Sequence, residues 1–133
     1  MNKKGFSLIE LLIVIVIIGI IVIIAVPSLL ESKRAAQATA AQATLRNIAS
    51  AQVAYSSKST NRTYGDLGDL ASQAFLDARF SSGTADFDGY TFSGTATTTF
   101  FTVTAGAQDT ANPNFYINHS MVVHYCTNDD PVR

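Results

Sequence analysis

From Leu11 to Val26 every residue is apolar except Gly19. A stretch so uniform presents no polar side to water, so lipid or other protein must cover it whatever the remaining residues do. Extended to Phe6–Leu30 it holds about 25 residues, roughly 37 Å of helix against a hydrocarbon core of about 30 Å. One crossing of a bilayer is therefore expected. Lys3 and Lys4 precede the run and no basic residue follows until Lys33, a bias that keeps the N-terminus cytoplasmic and sends the later residues outside. Ala25-Val26-Pro27-Ser28 is a poor match to an ordinary secretory cleavage site.

Charged residues make up 14% of the chain, below the roughly 25% of ordinary soluble domains, and the deficit sits in this run. Nine of the ten acidic and seven of the nine basic residues lie at Glu31 or beyond, so a greasy rod joins a soluble head. The net charge of -1, without a Lys/Arg stripe, argues against an obligatory nucleic-acid partner. Cys126 stands alone, which excludes an intrachain disulfide, and with His119 and His124 it makes no zinc set. Neither histidine belongs to a Ser, His, Asp order and no glycine-rich phosphate loop is present, so the reading is of a protein that is not an enzyme and needs no cofactor. Asp86, Asp88, Asp129 and Asp130 lack calcium-loop spacing and read as solvated surface.

Three residues interrupt the apolar segment. Glu10 places a carboxylate near the start of a lipid-bound helix, where intramembrane ionisable groups are functional candidates and a cationic partner is expected. Pro27 removes a helix hydrogen bond and disfavours helical geometry at Val26. With Gly19 it marks a stretch expected to kink, or to melt outside lipid, since Ile and Val dominate it.

From Leu30 to about Ser57 the chain is rich in Ala, Gln and Arg without Gly or Pro, so the helix is expected to continue. Ala41, Leu45, Ile48 and Tyr55 share one face of it and form the expected core stripe. Residues 57–88 read as a connecting loop with one helical turn around 69–78. Tyr90–Phe92, Thr97–Thr104, Asn114–Ile117 and Met121–Tyr125 read as three or four antiparallel strands, the last two joined at Asn118-His119-Ser120. Phe115, Ile117, Val122 and Val123 are expected on the sheet's core face. The fold class is α+β, with a long N-terminal helix packed on a small antiparallel sheet.

Lys3-Lys4-Gly5-Phe6-Ser7-Leu8-Ile9-Glu10-Leu11-Leu12 resembles the class III leader and methylation motif of type IV pilins and of the pseudopilins of type II secretion. The likeness extends more weakly through Ser28–Ala36 and Thr44–Tyr55, similar to the helix of short type IVa pilins. The resemblance implies a pilin fold with residues 1–5 as a cleaved leader, 6–30 as the transmembrane and polymerisation half-helix, 31–57 as the amphipathic half and 58–133 as the head. It further implies that prepilin peptidase cuts after Gly5, that Phe6 becomes the N-methylated terminus, and that Glu10 is the pilin glutamate. The new amine at Phe6, with an ordinary pKa near 8, is then the partner Glu10 needs. Pro27 falls where pilins kink.

On that resemblance the chain is expected to be a homopolymerising subunit of a type IV pilus, serving adhesion, twitching motility or DNA uptake. Its precursor would sit in the inner membrane with the assembly machinery before reaching the cell surface. Two alternatives stand beside it: a pseudopilin of a secretion or competence system, and an uncleaved, single-span membrane-anchored binding module.

Overall fold

The computed structural model describes residues 5–126. They fall into two compact units that divide between Ala35 and Ala36.

The first unit is the start of helix α1 (Leu8–Lys58), a helix of 51 residues. Gly5, Phe6 and Ser7 precede it outside the helix. The Ser7 carbonyl accepts from the Glu10 N–H at 3.1 Å and the Leu11 N–H at 3.3 Å, which starts the helical ladder two residues later than Phe6. Ser7 with Glu10 three residues on has the spacing of a capping box. Helix α1 includes both Gly19 and Pro27 without a break. Pro27 has no N–H to give the Ile23 carbonyl. One turn later the Ser32 hydroxyl donates to the Ser28 carbonyl at 2.9 Å, a back-bond that commonly accompanies helix bending.

In the second unit α1 packs on a five-stranded antiparallel sheet in the order β1-β2-β3-β4-β5, a plain meander. The strands are β1 (Thr84–Phe87), β2 (Tyr90–Ala96), β3 (Phe101–Ala107), β4 (Asn114–Asn118) and β5 (Val123–Cys126). The α+β architecture is as expected, with five strands where three or four were expected. The extra strand is β1, which lies inside the stretch read as a loop. Four residues with Ala85 as their single buried side chain carry almost no alternation for a sequence pattern to reveal. The missed signal was the dipeptide Asp88-Gly89 between β1 and β2, where both residues take positive φ, 54° and 77°, the backbone of a type I′ hairpin.

The expected helical turn around 69–78 resolves into a short helix α2 (Leu67–Ser72) and a 3-10 turn at Ala78–Phe80. Asp77 caps the latter by accepting from the Arg79 N–H at 3.0 Å. The Arg79 backbone N–H, and then its guanidinium, hold the Asp77 carboxyl below its ordinary pKa.

Ala41, Leu45, Ile48 and Ala49 of α1 meet Phe92, Phe101, Val103, Phe115 and Ile117 of the sheet, with Leu67 and Phe80 closing the side. Tyr55, expected in this stripe, is half-buried, its ring edge-on to Phe75 at 5.9 Å. Gln52 was not expected inside but is 1% exposed. Phe115, Ile117 and Val123 face the core, whereas Val122 is 55% exposed, because adjacent strand residues point to opposite sides and Val122 precedes β5. Where α1 begins its run along the sheet, the Asn112 Nδ2 donates to the Gln37 side-chain Oε1 at 3.3 Å, tying the helix to the β3–β4 connection.

Candidate functional site

The candidate site is the first half of α1. Every large apolar side chain from Leu8 to Leu30 is exposed, from 44% at Val14 to 83% at Leu8. Among the described residues α1 is the one helix long and apolar enough to cross a membrane. Together these side chains leave a large apolar surface uncovered. Burial at about 25 cal/mol per Å² gives a strong drive to cover it once water is the alternative.

Gly5 lies outside the helix, and a Cβ added there would meet nothing within 4 Å. No internal contact therefore requires glycine at that position. The same is true of Gly19, which sits in a helix interior where glycine costs about 1 kcal/mol relative to alanine. Phe6 is 77% exposed and free of the helix ladder, so the Gly5–Phe6 bond stands in open, non-helical backbone.

Glu10 lies in the first turn of α1 and is exposed. There the unpaired N–H groups of the helix favour a carboxylate. That local role is the one the sequence reasoning passed over, although Ser7-Leu8-Ile9-Glu10 carries its signature. Lys3 and Lys4 of the leader, and Asp129 and Asp130, lie outside the described residues.

The remaining candidates of the head stay apart. His124 stacks on Tyr116 across β4 and β5, ring centres 4.9 Å apart, while His119 is exposed in the turn before β5. Asp86 sits on β1 and Asp88 in the turn after it. Among the described residues no three metal-ligating side chains come together.

The family model for the prokaryotic N-terminal methylation motif matches residues 1–26. Its span takes in Gly5, Phe6, Glu10 and the apolar run, and it supports a type IV pilin- or pseudopilin-like protein with a class III leader. The motif points to a structural subunit rather than an enzyme, and the apolar helix suits a membrane-anchored precursor. No curated protein and no solved structure matches the chain.

Proposed function

We propose that this protein is the repeating subunit of a type IV pilus filament. Prepilin peptidase removes residues 1–5, Phe6 becomes the methylated terminus, residues 6–30 leave the bilayer and bundle with copies of themselves, and the head coats the filament. Gly19 and Pro27 are the places where the helix gives way during that transfer. The observation that carries this reading is the exposed apolar run of α1 from Leu8 to Leu30.

Glu10 retains a carboxylate in the apolar rod, and the new amine at Phe6 supplies its opposite charge. Within one helix the two are four residues apart; between copies the same charges set register. Two unit charges about 4 Å apart attract by roughly 4 kcal/mol at an effective dielectric of 20, before desolvation is subtracted. The pair thus selects a stagger, and apolar packing supplies cohesion. The filament so formed supports adhesion, twitching motility or DNA uptake.

Intact mass and N-terminal sequencing of protein sheared from cells, with electron microscopy of the same fraction, tests the proposal. A chain starting at N-methylated Phe6 in long thin fibres is expected. A processed chain confined to membranes would instead identify a pseudopilin, and a chain still starting at Met1 an anchored module.

A further inference from the structure

Between β4 and β5 the chain reads Asn118-His119-Ser120, the Asn-x-Ser pattern of an asparagine that accepts sugar. So short a pattern depends on how the fold presents it. The Asn118 Oδ1 accepts from the Ser120 N–H at 2.9 Å, and the Asn118 backbone carbonyl accepts from the Met121 N–H at 2.9 Å, so the turn is closed twice over. His119 and Ser120 at its tip are exposed. Asn118 ends β4 opposite Thr102, next to the buried Ile117, and its side chain therefore stands on the face of the sheet away from α1. Among the described residues its Nδ2 and the Ser120 hydroxyl have no partner. A second such pattern, Asn61-Arg62-Thr63, is presented differently: Thr63 is half-buried, and its hydroxyl is bonded to that of Ser59 at 2.9 Å.

We propose that Asn118 is a site of N-linked glycosylation on the outer face of the head. A carboxamide nitrogen is a weak nucleophile, because its lone pair is shared with the oxygen. The Ser120 N–H already donates to that oxygen, so the negative charge that gathers there as an Nδ2 proton leaves is stabilised before the sugar arrives. The free Ser120 hydroxyl is the group a transferring enzyme reads. In the transfer Nδ2 bonds to the anomeric carbon of a sugar whose leaving group is a diphosphate. The bond from that carbon to the diphosphate oxygen breaks, the diphosphate departs with the electron pair, and the Nδ2 proton passes to a base of the enzyme. The co-substrate is thus a glycosyl diphosphate, and no electrons enter or leave. The inference needs only the outward orientation of the head that Lys3 and Lys4 favour, and it stands apart from the filament reading.

The test compares intact masses of the full chain, isolated from the cells that make it, with those of Asn118→Gln, Ser120→Ala and Ser120→Thr made in the same cells. The unsubstituted chain is expected to exceed its polypeptide mass by a whole number of sugar residues, which electron-transfer fragmentation places on Asn118. The added mass should vanish from Asn118→Gln and Ser120→Ala and persist in Ser120→Thr. Ser120→Ala keeps the backbone N–H and hence the turn, so its loss of sugar reports recognition of the hydroxyl rather than a disturbed fold. A chain at its bare polypeptide mass would overturn the assignment. So would sugar found only on Asn61 or on serine and threonine hydroxyls, or sugar undiminished in Asn118→Gln. Fibres seen or missing in the same preparations judge the filament reading separately.

Discussion

Gln52 of α1 holds Gly65 by both ends of its side-chain amide: its Nε2 donates to the Gly65 carbonyl at 2.6 Å and its Oε1 accepts from the Gly65 N–H at 3.2 Å. The amide stands in for a strand partner, satisfying both backbone groups of a buried loop residue that has no neighbour in the sheet. Gly65 admits no side chain there, since a Cβ would come within 2.8 Å of the Tyr55 ring. The loop leaving α1 is thereby fixed at its deepest point.

Replacing Gln52 by Ala leaves that N–H and carbonyl buried without partners, at a cost of about 2–4 kcal/mol. Denaturant unfolding of the full chain in detergent should show the loss as a lower midpoint at unchanged slope. A change under about 0.5 kcal/mol, the range of ordinary surface substitutions, would show that water replaces the amide.

Leu45 is wholly buried against the sheet and Val53, two turns on, is not. Leu45→Ala is expected to destabilise by about 2–5 kcal/mol, the lost transfer energy plus a cavity. Val53→Ala in the same assay should stay within about 0.5 kcal/mol. Equal costs at the two positions would contradict the helix face described above.

Gly83 and Gly89 both have left-handed backbones, at φ 82° and 77°. A Cβ on Gly83 meets open space, whereas one on Gly89 would come within 2.7 Å of the Gln37 amide. Gly83→Ala should cost only the backbone penalty, about 1–2 kcal/mol. Gly89→Ala should cost more, because Gln37 must move and release Asn112. Thermal melts of the two variants decide the order.

Burial raises the Tyr90 phenol above its ordinary pKa of 10.0, while its hydroxyl donates to the Pro113 carbonyl at 3.0 Å. The unfolded chain therefore ionises first. The stability Tyr90 lends is complete below about pH 10 and is lost as the pH climbs through the folded-state value. Tyr90→Phe should cost about 1 kcal/mol near neutrality and flatten the alkaline fall of the melting temperature. An unchanged alkaline slope would assign that fall to other groups.

Glu10→Ala should leave insertion in the membrane intact and sharply reduce filament yield, since the first-turn carboxylate is exposed and no packing depends on it. Immunoblots of membrane and sheared fractions measure the two separately. Wild-type fibre levels in the variant would remove Glu10 from assembly.

The apolar run, the leader and Glu10 were legible in the sequence because their signal is local: hydrophobic length, flanking charge and spacing along one helix need no partner to be recognised. The stripe Ala41, Leu45, Ile48 was legible for the same reason, as a 3.6-residue period. Gln52 carried no such signal, since a polar residue goes inside only when a distant backbone, here Gly65, awaits it, and Tyr55, expected in the stripe, is half-buried. Strand β1 depended in the same way on its pairing with β2, and Val122 on where β5 starts. By itself the sequence determined that this chain has a helix too greasy to stand alone, an N-terminal methylation motif and a small α+β unit. Tertiary structure alone decided how many strands the sheet has, which polar groups its core encloses and which apolar side chains it leaves uncovered, because those outcomes are set by contacts between segments that meet only when the chain folds.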